Sequence, residues 1–231
     1  MYNNILFDLD DTILDFSKAE EDAISSTLKH IFIEPKPEIL KRYSQLNLQQ
    51  WKLLEKEMTT RAELRINRFQ NLFDELNVNY PAKDAAAFYE NKLSSGHYFI
   101  EGAESVLRTL SQHKSLYLVT NGTASVQRGR LASADIIKYF KNIFISEDIG
   151  FNKPAPEFFD YCFSMMNNTD KEKTIIIGDS LSSDIQGGIN AGIKTVWFNP
   201  ERERNNSGIT PDYEVHTLKE VIDIAVIDSR L

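Results

Sequence analysis

Apolar residues follow two different rhythms along this chain. Asn4 to Leu9 carries the continuous run Ile5-Leu6-Phe7 and then breaks into acids at Asp8, Asp10 and Asp11, the pattern of a strand buried on both faces. Beyond Gly102, strand-like runs alternate with helical spacing. Ala103 to Gln112 reads as a helix, Leu116 to Val119 as a strand ending at Thr120-Asn121-Gly122, and Ala124 to Ser133 as a second helix. Ile143 to Ile145 is a short strand, and Pro156 to Met166 is a helix with proline near its first turn. Thr174 to Ile177 is a strand ending at Gly178-Asp179, Asp184 to Asn190 a helix stopped by Gly192, and Thr195 to Phe198 a strand. Glu201 to Pro211 is polar and reads as a surface loop.

Between Asp15 and Ile100 the alternation stops. That stretch holds a single glycine, Gly96, and its apolar residues recur at helical spacing, as in Leu64, Phe69, Leu72, Phe73 and Leu76. The pattern predicts a three-layer α/β core with a parallel sheet, built from residues 1–14 and 101–231 and interrupted by an all-helical insertion over 15–100.

Composition narrows the function classes. The 231 residues include 26 Lys or Arg against 34 Asp or Glu, a net charge of −8, with 42% hydrophobic residues. A chain of this make-up buries a real core, and its acidity opposes binding to nucleic acid polymers or anionic lipid, which need clustered cations. The insertion carries 12 basic and 13 acidic residues and the remainder 14 and 21, so the excess negative charge belongs to the core. No apolar run approaches the roughly 20 residues of a membrane helix, and Met1-Tyr2-Asn3-Asn4 lacks the basic start of a secretory signal. The lone cysteine, Cys162, has no internal disulfide partner. A cytoplasmic protein, monomer or homodimer, is expected.

In open parallel sheets ligands gather beyond the carboxyl ends of the strands. Polar residues fall at or near such ends four times: Asp8 to Thr12, Thr120 to Gly122, Asn152-Lys153-Pro154, and Gly178-Asp179 running on to Asp184. If the first and last clusters meet, Asp8, Asp10, Asp179 and Asp184 share one small volume, and their repulsion calls for protonation or a cation; an all-oxygen, hydrated site favours Mg²⁺. A single aspartate at a strand end is commonly a turn former or helix cap, and Asp11 and Thr12 suit that role equally well. A carboxylate can attack phosphorus to form an aspartyl-phosphate, given a cation and donors around the phosphoryl oxygens. Thr120 supplies a hydroxyl, Gly122 a close backbone approach, Lys153 a fixed positive charge, and Asp10 an acid two residues from the nucleophile.

These four clusters, in this order and at this spacing, resemble the motifs of the haloacid dehalogenase superfamily, and the insertion resembles the helical cap of its type I members. The resemblance implies a Rossmann-like core, Asp8 as nucleophile, and Asp10 as general acid/base whose main-chain carbonyl also binds Mg²⁺. It further implies phosphate binding by Thr120, Asn121, Gly122 and Lys153 and a metal site completed by Asp179, with Asp184 acting directly or through water. The founding dehalogenases lack the second acid, so Asp10 favours phosphate-ester hydrolysis.

Thr120-Asn121-Gly122 through Gln127 and Arg130-Leu131, the run Ile145 to Gly150, and Gly187-Gly188-Ile189-Asn190-Ala191-Gly192 are similar to the YjjG-type pyrimidine 5′-nucleotidases. In the cap, Asn47, Trp51 and Arg68-Phe69 are also similar to that branch. The resemblance implies a pyrimidine nucleoside monophosphate such as UMP, dUMP or dTMP as substrate, including noncanonical ones. Aromatic faces such as Trp51, Tyr43, Phe69 and Tyr89 can hold a base, and Arg61, Arg65 and Arg68 can reach sugar or phosphate oxygens, although aromatics at helical spacing mostly form core. A sugar-phosphate or phosphoglycolate phosphatase is the rival enzyme, and a noncatalytic regulatory module the rival outside enzymes. His30, His97, His113 and His216 lack ligand spacing, Cys162 reads as core, and Gly187-Gly188 as a site of close helix packing. Asp15 to Lys18 and Phe99 to Gly102 are the expected hinges.

Overall fold

A computed structural model describes residues 2–166 and 170–226. The chain begins with β1 (Asn4–Phe7), crosses into four helices, α1 (Phe16–His30), α2 (Pro37–Glu55), α3 (Arg61–Leu76) and α4 (Ala82–Leu93), and returns through α5 (Ala103–Ser111). It continues as β2 (Ser115–Thr120), α6 (Ala124–Ser133), β3 (Phe140–Ile145), α7 (Ser146–Ile149), α8 (Pro156–Met165) and β4 (Thr174–Gly178). A π-helical turn at Leu181–Ile185 leads into α9 (Gln186–Ala191), β5 (Lys194–Phe198), β6 (Tyr213–Val215) and α10 (Glu220–Val226).

The six strands form one parallel sheet in the order β3-β2-β1-β4-β5-β6. This is a doubly wound arrangement, with the reversal of strand order falling between β1 and β4. Ile5 lies opposite Leu116 on one side and Ile175 on the other. Alternate side chains feed opposite faces. Ile5, Phe7, Leu118, Ile177 and Val196 pack with α5 and α10, while Leu6, Tyr117, Val119 and Ile176 pack with Phe158, Phe159 and Cys162 of α8. That two-sided burial explains the continuous apolar runs.

The four inserted helices bury a separate cluster that includes Ala23, Leu28, Tyr43, Leu72, Phe73 and Tyr89. Val126 of α6 joins it, so one helix of the sheet layer is wedged under the insertion. The two chain crossings are tied together where Leu14 bridges Phe99 in antiparallel fashion. Thr60 and Glu63 close a capping box at the start of α3, and the Asp15 side chain accepts from the Lys18 amide at the start of α1. Among the described residues no helix is long and apolar enough to cross a membrane.

Several elements differ from the sequence pattern. β1 stops at Phe7, with Asp8 still bonded to the ladder and the chain turning at Asp11–Ile13, and β3 starts at Phe140 rather than Ile143. The expected helix from Asp184 is a π-turn followed by α9, and β6 lies inside a polar, low-contrast stretch that periodicity does not reveal. Gly187 and Gly188 do mark close packing: a Cβ on Gly188 would lie 2.6 Å from the side chains of both Ile176 and Thr195. Gly188→Ala is therefore expected to destabilise the protein by about 1–3 kcal/mol through overpacking of α9 against the sheet, read as a lower urea midpoint at unchanged slope.

Candidate active site

The strand-order reversal leaves a crevice beyond the ends of β1 and β4, and the polar clusters converge on it. Asp8 follows β1 directly, its amide still bonded to the Ile177 carbonyl at 2.9 Å, so the last rung of the ladder aims its side chain out of the sheet. Asp179 follows β4, and Asp184 comes back toward it on the π-turn. Carboxylate oxygens of Asp8, Asp179 and Asp184 lie within 4.8 Å of one another. A Cβ on Gly178 would fall 2.2 Å from the Asp184 carboxylate, so only glycine lets that side chain sit there.

Lys153 occupies the centre of this group. Its buried Nζ donates to Asp8 Oδ1 and to Asp184 Oδ1, each at 2.6 Å, and to the Val119 carbonyl at 2.8 Å. Asn121 fixes the loop that delivers it: Oδ1 accepts from the Lys153 amide at 2.8 Å and Nδ2 donates to the Lys153 carbonyl at 2.9 Å. Asn121 thus spends its side chain on holding two loops together. Thr12 donates to Asp179 Oδ1 at 3.3 Å, while Asp11 accepts from the amides of Phe16 and Ser17 and so anchors the start of α1.

Asp10 does not join the other carboxylates, contrary to the expectation that all four crowd together. Its side chain is drawn away by Gln127 Nε2, which donates to Oδ2 at 2.7 Å, and by an ion pair between Arg130 Nη1 and Oδ1. The same Gln127 Nε2 donates to Thr120 Oγ1 at 2.8 Å, and the Gly122 amide also donates to that hydroxyl at 3.3 Å. Gln127 and Arg130 are structurally the main addition to the sequence-derived site. Their signal was two long polar side chains three residues apart on a helix that also carries buried Val126 and Leu131.

Burial pushes the Asp8 carboxyl up to about 8 against the opposing pull of Lys153, with Asp184 and Asp10 adding to the rise. Burial and then Asp184 and Asp8 hold Asp179 well above the usual carboxylate range, and burial and Asp10 lift Asp11 to about 6. Burial alone would lower Lys153, but Asp184 and Asp8 outweigh it and keep the ammonium charged. One buried ammonium thus faces three clustered carboxylates. The residual negative charge and the all-oxygen donor set fit a hard divalent cation such as Mg²⁺.

The inserted helices roof the crevice, forming a cleft of about 990 Å³ including its open mouth. Trp51, Leu54, Phe16, Leu93 and Val126 give it an apolar side, and Arg68 and Glu90 a polar one. Asn47 lies behind the cleft: it accepts from Arg68 Nη1 at 3.1 Å and donates to buried Glu20 at 2.7 Å. Arg61 is committed to structure, donating to the carbonyls of Asn121 and Gly122 and to the side chains of Ser146 and Asn152. Arg65 pairs with Glu147 at 2.8 Å, and Glu147 accepts from the Ala124 amide. Tyr43, Phe69 and Tyr89 pack on one another in the core of the insertion, and among the described aromatics only Trp51 and Phe16 line the cleft.

A family model described as haloacid dehalogenase-like hydrolase matches residues 5–198. The pyrimidine 5′-nucleotidase PynA of Streptococcus pneumoniae is 36% identical over 223 residues, covering 96% of this chain and 94% of its own. The pyrimidine 5′-nucleotidase YjjG of Escherichia coli is 31% identical over 221 residues, covering 94% and 95%. A crystal structure of YfnB from Bacillus subtilis bound to magnesium matches with a TM-score of 0.93 at 38% identity, covering 98% of this chain and 99% of that one.

The raised Asp8 carboxyl has a consequence for stability. It retains in the fold a proton that the unfolded chain has released, so its contribution is complete below about pH 4 and lost as pH rises through about 8. In chelator, the unfolding temperature is expected to fall between about pH 6 and about pH 8, and Asp179→Asn to shrink that fall and raise the value at the upper pH. Scanning fluorimetry measures both; a flat profile, or a variant less stable at the upper pH, would contradict the repulsion.

Proposed function

The chain belongs to the haloacid dehalogenase-like hydrolases, and from that premise we propose that it is a Mg²⁺-dependent phosphomonoesterase, specifically a pyrimidine 5′-nucleotidase working through an aspartyl-phosphate. The observation that carries this reading is the separation of the two motif acids. Asp8 sits in the carboxylate cluster under Lys153, whereas Asp10 is held apart by Gln127 and Arg130. On this reading one acid attacks and the other moves protons.

In the proposed reaction, a carboxylate oxygen of Asp8 attacks phosphorus as the bond to the leaving alcohol breaks, and Asp10 gives its proton to the leaving oxygen. Water then loses a proton to Asp10 and attacks the same phosphorus, breaking the bond to Asp8 and releasing phosphate. Lys153 pins Asp8 and sets a fixed positive charge beside the phosphoryl group, to which the Thr120 hydroxyl offers a donor. Asp8, Asp179 and Asp184, with the Asp10 main-chain carbonyl, would hold Mg²⁺, which supplies charge neutralisation at the phosphoryl group when bound. A dehalogenase would have no leaving alcohol for Asp10 to protonate.

The helices over 15–100 act as the specificity cap on a catalytic core of 1–14 and 101–231. The Trp51 and Phe16 side of the cleft suits a planar base, and Arg68 and Glu90, ion-paired with each other at 3.3 Å, give it a charged edge. The names of PynA and YjjG favour the same substrate class over a sugar phosphate. A free buried thiol at Cys162 suits the reducing cytoplasm.

With Mg²⁺ present, dUMP, UMP and dTMP are expected to be hydrolysed with kcat/KM well above those for glucose 6-phosphate and phosphoglycolate; the reverse order would overturn the nucleotide assignment. Asp8→Asn is expected to lower kcat roughly a thousandfold or more while the protein stays folded by circular dichroism, as when a covalent nucleophile is lost.

A further inference from the structure

Arg130 is fully buried on α6 and does not line the cleft, yet it touches three functionally different parts of the chain. Nη1 pairs with Asp10 Oδ1. Nε donates to the Gly96 carbonyl at 3.0 Å, on the segment by which the chain returns from the helical insertion. The guanidinium plane lies 5.6 Å from the Phe16 ring, at the crossing by which the chain enters it. One side chain therefore meets both crossings and the proposed acid/base.

The surrounding contacts reinforce this seat. Ser133, one turn along α6, donates to the Ser95 carbonyl at 3.1 Å and contacts His97 Nδ1 at 2.7 Å. Gly129 lies directly under Ser94: a Cβ there would fall 2.7 Å from the Ser94 carbonyl oxygen. Arg130 thus belongs to two sets on one helix: with Gln127 it holds Asp10, and with Gly129 and Ser133 it holds residues 94–97. Only a planar guanidinium, with separate donors in fixed directions, engages both partners at once.

We propose that Arg130 is a positioning residue that aligns Asp10 for proton transfer only while the segment Ser94–Gly96 is seated on α6, so that the state of the crossing is read out at the acid/base. This rests on the reading of Asp10 as general acid. If the seat lifts, Nε loses its acceptor, the guanidinium is free to turn, and Asp10 loses its ion-pair partner at the required angle. Proton delivery to the leaving oxygen then fails, while Asp8, Lys153 and the carboxylate cluster keep their contacts.

The test compares kcat/KM for dUMP, whose alkoxide leaving group needs a proton, with kcat/KM for 4-nitrophenyl phosphate, whose leaving group does not. The Mg²⁺-loaded full chain is used. Asp10→Asn calibrates the assay: loss of general acid catalysis is expected to cost about 100-fold on dUMP and less than about threefold on 4-nitrophenyl phosphate. Arg130→Lys, which keeps the charge but cannot bridge both partners, is expected to show the same selective pattern at about tenfold. Gly129→Ala, which pushes Ser94 off α6 without touching Asp10, is expected to follow it in direction, and remains decisive should Arg130→Lys fail to fold. An equal loss on both substrates, or none, in folded Arg130→Lys or Gly129→Ala overturns the proposal. A nonselective Asp10→Asn result instead overturns the general-acid reading beneath it.

Discussion

The contact on which the site depends is the buried ammonium of Lys153 between Asp8 and Asp184. Three desolvated carboxylates cannot share a volume this small without a compensating charge, and the Lys153 ammonium supplies part of it. The arrangement also explains why so much of the neighbourhood serves that lysine. Asn121 brackets its backbone on both sides, and the Val119 carbonyl takes its third proton. The sheet order places β1 and β4 side by side at the switch point, bringing an aspartate from each to the same end. The fold delivers the charges, and Lys153 makes their proximity tolerable.

Polar ties join the helical insertion to this centre. Arg61 reaches four acceptors in the loops after β2 and β3, and Glu147 connects Arg65 to the α6 amide of Ala124. Val126 is the one α6 side chain that joins the apolar cluster of the insertion. Polar ties of this kind can be exchanged for water contacts at modest net cost.

Much of the core was legible in the sequence because strands buried on both faces leave unbroken apolar runs. Ile5-Leu6-Phe7 and Ile175-Ile176-Ile177 announced themselves, and the polar residues at their ends marked the site. β6 was not legible, because Tyr213–Val215 has one exposed, one half-buried and one buried position and sits next to a long polar loop. The insertion was readable as helical, but not the fates of its arginines. Arg61, Arg65 and Arg68 lie within two turns of one helix, yet of the three only Arg68 lines the cleft, while Arg61 reaches the loops after β2 and β3 and Arg65 pairs with Glu147 and Glu90. Asp10 shows the same limit: proximity in sequence placed it with Asp8, and a buried arginine from over a hundred residues away turned it aside. Such outcomes depend on which distant donor arrives, and no local pattern records that.

The central claim is that Asp8 carries the phosphoryl group during turnover. Reducing an acid-quenched turnover mixture with borohydride converts an aspartyl-phosphate to homoserine, and peptide mass spectrometry then locates it. Homoserine is expected in place of Asp8, dependent on both nucleotide and Mg²⁺. Homoserine in place of Asp10 or Asp179, or unmodified peptide under conditions where the phosphoenzyme accumulates, would contradict it.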